Sequence, residues 1–546
     1  MNVLKKSLKK YFPMNWKTFV SPTIVATLIL IITFVCFGME NSMIAPFVSV
    51  SYLHFINMKN HFSCMIRQWL IYCLIAVVSF VSVINLPLCI LANAGMLFFL
   101  SYIFTDEYHP DNYLPMGMAL IFFQTASLHT LPQLLTRLEA LTVSFGIILL
   151  FVLLTGLKYY QKDPIADEIR KGFPLAEQIL EACEKQDDSL IHDLHLQINN
   201  INQVCSEEIY SYNRSTFLRK GKVNYYCRFV AFFQVFNYLT RHYREKDNLQ
   251  KAKNLLTYYQ ELLAEHKPQK DYWMLMLRND KLNIRDFKFR FALREVITIT
   301  PCLALALHSG GAQYAYWMVF SLFYMLTPTT DFGKKAVRDR VIGSLIGIIG
   351  SLVLFSIFPQ LPARILITAI LNLFIYSTAG DIATIAYICC ATLSMQTFQL
   401  NTLDAMLHCI AATLIGAVIA MLVNRFLFVV HVDVQIERLL DRLAQIRQML
   451  LESRDIYANE EKQTITKPKK PFHYLFSRRY MNETERRHHF NDQLVIRSYL
   501  ISRRVQDLDQ SRPVEQRDPA LPELEKQHML FMAEYLLYGG HTKLAP

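Results

Sequence analysis

The sequence predicts an all-α fold. It indicates a polytopic integral membrane protein with two parallel six-helix repeats, about 12 transmembrane helices, and helical cytoplasmic domains. Composition is the first observation behind this prediction. Of 546 residues, 53% are apolar and only 18% are charged, and the apolar residues are clustered in long runs. A soluble chain of this length would not need so much hydrocarbon.

An internal duplication is the second observation. Residues 16–157 align with residues 289–428 at a constant shift of roughly 270, and apolar runs are interrupted at the same points in both halves. The matching positions are Arg67 with Arg340, Pro87 with Pro359, and Gly146 with Gly416. Such duplication is typical of membrane transporters, in which the substrate path lies between two repeats.

The apolar runs give twelve candidate spans. Their predicted bounds are 21–38, 43–56, 69–86, 88–104, 114–129, 138–157, 292–308, 314–327, 341–358, 365–379, 382–398 and 405–428. A helix needs about 20 residues to cross a bilayer, so several of these runs are short. The second and eighth runs hold equivalent positions in the two repeats, which favours short or broken helices there.

Basic residues predict the orientation, because Lys and Arg are retained on the cytoplasmic side near the ends of spans. Five lysines surround the start of the first span, and Lys59 and Arg67 follow the second span. The predicted outer connections carry only Arg137 and Arg364. This pattern predicts a multi-pass protein of the cell (inner or plasma) membrane whose N- and C-termini are cytoplasmic.

Four parts follow from this topology. They are a first transmembrane repeat (1–157), a cytoplasmic helical domain (158–288), a second transmembrane repeat (289–429) and a C-terminal cytoplasmic helical region (430–546). Apolar residues at helical spacing in the hydrophilic parts, such as Phe229, Phe232 and Phe236, predict amphipathic helices that pack together through these side chains. The spacing from Ile436 onward continues that of the twelfth span and predicts one continuous helix there.

Several function classes are disfavoured. The eleven cysteines include no C-x-x-C pair, and the histidine pairs lack further ligands, so no metal and no other cofactor is expected. No Walker loop is present, which leaves an ion gradient or another subunit as the source of energy. The net charge of +11 largely flanks the spans, where membrane lipids rather than nucleic acid explain it.

Three motifs occur in order in the second half. An arginine-rich stretch, 289–294, opens the seventh span, a Tyr-Trp pair lies at 316–317, and R-x-x-G-S-x-x-G occupies 340–347. This set resembles the fusaric acid resistance protein-like family, most strongly over roughly 285–400. That family includes bacterial aromatic carboxylic acid exporters and is related to plant aluminium-activated malate transporters. Ser344 stands where the family pattern has threonine.

The resemblance and the residue chemistry select the candidates for a substrate path. These are Arg294, Tyr316, Trp317, Lys334, Arg338, Arg340 and Arg67. Arginine pairs with carboxylates through two hydrogen bonds, and a group of cations concentrates anions. The competing explanations are positive-inside anchoring for the cations and an interfacial belt for the aromatic residues.

Other residues have different predicted roles. Gly343 and Gly347 form a small-xxx-small face that predicts close helix packing. Asp381 and His308 are the candidates for proton coupling, since intramembrane ionisable groups are costly and histidine titrates near neutrality. The other polar positions within or near the spans are Asn93, Gln124, Asn372, Gln396, Asp404 and His408.

The sequence therefore predicts a transporter rather than an enzyme, exporting organic anions such as aromatic carboxylic acids with energy from an ion gradient. Two alternatives stay open: a channel-like anion conduit, and a membrane-anchored scaffold or regulatory protein. The expected partners are a small organic anion, membrane lipids and, in a two-membrane bacterium, a periplasmic adaptor. No nucleic acid is expected.

Overall fold

The computed structural model describes most of the chain and separates it into two compact units, Met1–Leu157 with Asp280–Val432, and Lys158–Asn279 with Asp433–Pro546. The described residues are 16–42, 44–56, 61–105, 110–156, 164–214, 218–219, 221–245, 247–265, 274–275, 286–308, 315–377, 381–396, 402–460, 498, 501–502, 504–506, 508–509 and 521–538. Within these ranges the chain is helical, apart from turns and one pairing of two short antiparallel strands.

The elements are listed here in chain order. The first are α1 (Trp16–Phe37), α2 (Met39–Ser42), α3 (Ala45–Ile56), α4 (His61–Ile84), α5 (Leu86–Phe104), α6 (Leu114–Thr125) and α7 (Leu131–Gly156). The next are α8 (Pro164–Lys185), α9 (Asp188–Arg214), β1 (Leu218–Arg219), α10 (Gly221–Arg241), α11 (Asn248–Glu265) and β2 (Met274–Leu275). The last are α12 (Phe287–His308), α13 (Ala315–Met325), α14 (Gly333–Ile357), α15 (Leu361–Ser377), α16 (Asp381–Gln396), α17 (Thr402–Phe426), α18 (Val432–Glu460) and α19 (Leu521–Tyr538).

Seven helices in the described residues are long and apolar enough to cross a membrane, namely α1, α4, α5, α7, α12, α14 and α17. The chain is therefore a multi-pass membrane protein. Helices α3 and α13, at the two positions where short helices were predicted, have 12 and 11 residues. The arrangement of twelve transmembrane helices in two parallel repeats stays a prediction.

Three arginines predicted to lie in connections lie inside helices instead. Arg67 is within α4, Arg137 within α7 and Arg364 within α15. Helices α7 and α15 each begin with Leu-Pro, several residues before the apolar run that marked the predicted span. Proline is favoured in the first helical turn because the missing N–H has no helical acceptor there. The hydropathy pattern alone placed these helix starts too late.

The predicted continuous helix across residue 430 is also wrong. Helix α17 ends at Phe426, Phe428 has a φ of 45°, and α18 begins at Val432. The Asp331 carboxylate accepts a hydrogen bond from the Val432 backbone N–H at 2.6 Å and contacts His431 at 3.0 Å. An acidic acceptor at a helix start satisfies an otherwise unpaired N–H, which stabilises a new helix instead of a continued one.

The two halves of the first unit share one apolar core. Helix α5 packs on α12 and α6 packs on α13. Phe122 and Phe320 meet with ring centroids 3.9 Å apart. A Cβ added at Gly117 would stand 2.2 Å from the ring of Phe323, so glycine permits this contact. Side chains from both halves therefore pack together in one core.

Helices α14 and α16 pack closely within the second half. A Cβ on Gly343 would lie 2.8 Å from the Ile382 carbonyl oxygen, and one on Gly347 would lie 2.5 Å from that of Ala386. Backbone approaches this close are what small residues permit between membrane helices. Both glycines lie at these close approaches, and their packing role stays a prediction.

We expect Gly347→Ala to lower the free energy of unfolding by about 1–3 kcal/mol, because the new methyl group would collide with backbone atoms of α16. Gly350→Ala on the same helix is the matched control, since a Cβ there meets nothing within 4 Å. Thermal unfolding in detergent measures both variants. Equal midpoints would contradict a packing role for Gly347.

The second unit has its own aromatic core. Helices α8–α11 pack in sequence, and α19 packs on α10 and α11. The phenylalanines predicted to face inward, Phe229, Phe232 and Phe236, are fully buried, and Phe232 stacks on Tyr259 with centroids 4.6 Å apart. Phe173 from α8 stacks on the other side at 5.5 Å. The helical spacing seen in the sequence therefore corresponds to a packed core.

Two buried histidines make this unit sensitive to acid. His195 pairs with the Thr240 hydroxyl at 2.9 Å, and burial with the nearby charges of Arg241 and His192 lowers the pKa of His195 to about 4. Burial, with the charge of Arg447, lowers the pKa of His528 to about 4 as well. Both side chains are therefore neutral in the folded unit at neutral pH.

We expect the second unit to lose stability as the pH falls from about 6.5 to about 4, because the unfolded histidines bind protons that the folded ones exclude. Each histidine contributes at most about 1.4 kcal/mol per pH unit. Hydrogen exchange of α9 and α10 in the full chain, corrected for intrinsic rates, measures the loss. His195→Gln should reduce the pH dependence of this exchange; an unchanged pH dependence in that variant would contradict this assignment.

Candidate functional site

Arg340 on α14 is a buried cation with spare hydrogen-bonding capacity. Its side chain is 3% exposed, and its guanidinium carbon lies 5.1 Å from the ring centroid of Tyr324 on α13. Its charge also interacts with Cys389 on α16 and Cys409 on α17. The Nε and Nη1 atoms make no hydrogen bond within the described part of the chain. Arg340 therefore stands among four helices with two donors available.

Three of these four helices carry buried hydroxyl groups. Ser344 is one helical turn further on, so it shares a face of α14 with Arg340. Its buried hydroxyl has no hydrogen-bond partner among the described residues. Ser321 and Thr413 join α13 to α17 through their hydroxyls, 3.2 Å apart. A guanidinium, a hydroxyl and an aromatic ring together can bind a carboxylate attached to an apolar body.

A second charged group lies where the two halves of the first unit meet. Arg294 and Glu295 on α12 are both fully buried. Arg294 donates to the Thr327 carbonyl oxygen, and its guanidinium lies 5.3 Å from the ring centroid of Phe291. Glu295 accepts a hydrogen bond from Ser101 on α5 of the first half. In the described structure, Nε and Nη1 of Arg294 and Oε1 of Glu295 have no partner.

Arg137 on α7 is a buried arginine of the same unit whose guanidinium nitrogens are all hydrogen-bonded. It donates to the Asn41 side chain at 3.2 Å and to the carbonyl oxygens of Phe123 and Ala126, each at 2.8 Å. A further bond reaches the Glu40 carbonyl oxygen at 3.3 Å. Every nitrogen of this guanidinium is used, so Arg137 ties α7 to neighbouring segments.

An uncharged polar cluster also joins the two halves. The amides of Asn93 and Gln124 pair at 2.6 Å, and Asn93 donates to the Ser82 hydroxyl at 3.2 Å. From the second half, Tyr316 donates to the Gln124 carbonyl oxygen at 3.1 Å. The His308 ring lies 3.3 Å from the Ser82 carbonyl oxygen. The predicted polar positions Asn93 and Gln124 thus partner each other.

The predicted aromatic pair faces two directions. Tyr316 belongs to the apolar core that both halves share, whereas Trp317 packs in a separate cluster of the second half. The neighbours of Trp317 there include Ile348, Phe355 and Leu393. Tyr316 and Trp317 therefore offer no common surface for stacking, and Tyr324 is the ring beside Arg340.

The predicted cations differ in exposure. Lys334 and Arg338 are exposed near the start of α14, and Arg338 pairs with Asp339 at 2.9 Å. Arg67 is half-buried in α4. Arg294 and Arg340 are buried beside different rings, those of Phe291 and Tyr324. A shared role of the predicted cations in a substrate path stays a prediction.

Of the two candidates for proton coupling, His308 is exposed at the last residue of α12, and the side chain of Asp381 lies outside the described residues. Glu295 was missed by the sequence reasoning. Its signal was a carboxylate inside the apolar stretch Phe287–His308, a costly place for charge. The described residues contain no group of three ligands that could hold a metal ion.

Residues 299–423 match the family model described as fusaric acid resistance protein-like. The predicted resemblance is thereby confirmed over this segment, which contains Tyr316, Trp317, Arg340, Gly343 and Gly347. Arg294 and Glu295 lie outside it. No curated protein and no solved structure matches the chain. Together with the apolar helices, the match indicates a multi-pass membrane protein that is similar to this family over residues 299–423.

The contrast between the two arginines predicts opposite effects on stability. Arg137→Gln should lower the thermal midpoint clearly, since it leaves several buried acceptors unpaired at about 1–3 kcal/mol each. Arg340→Gln should leave the midpoint equal or raise it, because an incompletely paired buried charge is removed. Unfolding of the purified variants in detergent measures both. A similar loss in the two variants would show that Arg340 is a structural residue.

Proposed function

We propose that the protein is a membrane transporter that exports organic anions such as aromatic carboxylic acids, driven by an ion gradient. The similarity of residues 299–423 to the fusaric acid resistance protein-like family is the premise. The observation that carries the proposal is Arg340, a buried cation beside Tyr324 with two unpaired guanidinium nitrogens in the described structure.

A buried arginine without an acceptor is costly in hydrocarbon, so residues of this kind commonly mark a substrate pathway. A carboxylate would neutralise Arg340 and accept its free N–H groups. The Tyr324 ring and the surrounding apolar side chains suit an aromatic or other amphipathic body. These properties favour an organic anion over a small hydrophilic ion.

The other predicted path residues have supporting roles in this proposal. The exposed Lys334 and Arg338 attract anions towards the start of α14, and Arg67 does the same in the first half. Arg294 and Tyr316 lie where the two halves of the first unit pack together, and Trp317 packs in a separate apolar cluster of the second half. Gly343 and Gly347 hold α14 against α16. Asp381 and His308 remain candidates for proton coupling.

The membrane itself supplies part of the driving force. In an inner or plasma membrane with a negative interior, moving one anionic charge outward gains about 2.3 kcal/mol per 100 mV. With the termini and the hydrophilic parts in the cytoplasm, as the basic residues predict, anions would enter from the side that carries Lys334 and Arg338. Membrane lipids would surround α14 and α17, and a periplasmic adaptor would be needed only in a two-membrane bacterium.

Efflux measurements test the proposal. Cells of an efflux-deficient bacterium that express the chain should lose preloaded aromatic carboxylates faster than cells with empty vector, and an uncoupler should abolish the difference. Arg340→Ala should reduce the rate at least about tenfold, as expected when one charge-assisted contact of about 1.4 kcal/mol or more is lost. Arg340→Lys should restore part of it, since lysine keeps the charge but not the planar fork.

Arg425→Ala, at an exposed position of α17 in the same half, is the matched control and should keep full activity at equal membrane abundance. Unchanged efflux in Arg340→Ala would contradict the role of Arg340. No efflux of any carboxylate by the wild type would favour a membrane-anchored scaffold. Anion current that reverses at the anion equilibrium potential would favour a channel-like conduit.

A further inference from the structure

We propose that Arg294 and Glu295 form a second anion site, between the two halves of the first unit, whose occupancy is switched by protonation of Glu295. The inference rests on the proposed function, because it assumes that the chain binds organic anions. It adds a site distinct from Arg340 and names the regulation of that site.

The geometry supports a site rather than a closed ion pair. Arg294 donates one hydrogen bond to the Thr327 carbonyl oxygen, and its Nε and Nη1 atoms have no hydrogen-bond partner in the described structure. Glu295 accepts a hydrogen bond from the Ser101 hydroxyl at Oε2, and its Oε1 atom has no hydrogen-bond partner in the described structure. Both side chains are fully buried, so water does not compensate these atoms from the surface.

The position of the pair is the second argument. Helix α12, which carries Arg294 and Glu295, packs closely on α5 of the first half. The Ser101 hydrogen bond crosses this interface. The hydrogen bond from Tyr113 to the Leu326 carbonyl oxygen, at 3.1 Å, also joins the two halves. A change in the charge of Glu295 is therefore felt by both halves.

The switch follows from the charges alone. An ionised Glu295 neutralises the adjacent arginine and repels an incoming carboxylate. A protonated Glu295 no longer neutralises the positive charge of Arg294. An organic anion can then supply the missing negative charge. Proton binding and anion binding then strengthen each other, and the linkage is reciprocal.

The surroundings of Glu295 contain few other charges. The ionisable groups that interact with it are Arg294 on the same helix and Tyr113 before α6, while α5 contributes the Ser101 hydroxyl. Helix α13, which also packs on α12, carries Tyr316 and Tyr324. Tyr316 donates a hydrogen bond to the Gln124 carbonyl oxygen, and the Tyr324 ring lies beside the Arg340 guanidinium. Glu295 is thus the group through which a proton would act on Arg294.

Benzoate titration of the purified full-length protein in lipid nanodiscs tests the site. The Arg340→Ala background leaves the Arg294 site as the one to be filled. Calorimetry between about pH 5 and about pH 8 should show benzoate affinity rising as the pH falls, by at most about tenfold per pH unit. Titrations in buffers of different ionisation enthalpy should show proton uptake with each benzoate bound.

Glu295→Gln should keep the high affinity at every pH and take up no proton, because glutamine resembles the protonated carboxyl group. Arg294→Gln should abolish binding at this site. The matched control is Glu139→Gln on α7, an exposed carboxylate in the same unit, and it should behave as the parent.

Persistent pH dependence in Glu295→Gln, or loss of benzoate binding in that variant, would overturn the inference while leaving the proposed function intact. Absence of binding by the wild-type protein at any pH, for benzoate and for a panel of other aromatic carboxylates, would instead overturn the proposed function. The two failures are therefore distinguishable.

Discussion

A charged side chain inside the membrane unit has to find its partners within the protein, because hydrocarbon supplies neither water nor counter-ions. Arg137 meets this requirement completely, through one side chain and three backbone carbonyl groups. Arg340 and Arg294 do not meet it in the described structure. Three arginines of similar burial thus divide into one that ties helices together and two that retain unused hydrogen-bond donors in the described structure.

Close packing of helices determines where the Arg340 guanidinium lies. The two glycines of α14 bring this helix against the backbone of α16, and Arg340 and Ser344 lie on the same short stretch as Gly343 and Gly347. The guanidinium is thereby held beside Tyr324 and near Cys389 and Cys409. A larger residue at either glycine would displace the helix that carries the cation. The packing of α14 against α16 and the position of Arg340 therefore depend on the same turns of α14.

The interface between the halves follows a different rule. It combines aromatic packing, such as Phe122 against Phe320, with buried polar contacts from Tyr316, Ser101 and Tyr113. Polar contacts in a low-dielectric environment respond strongly to a change of charge.

The sequence by itself determined the helical class, the membrane character and the similarity of the second half to a known family, because long apolar runs and an ordered set of motifs are properties of local sequence. It also placed the inward-facing phenylalanines of the second unit, since 3.6-residue spacing is local as well. It placed the starts of α7 and α15 too late and missed Glu295. Tertiary structure alone decided these points and which buried arginine is satisfied, because hydrogen-bond partners such as Ser101 for Glu295 come from helices distant in the chain.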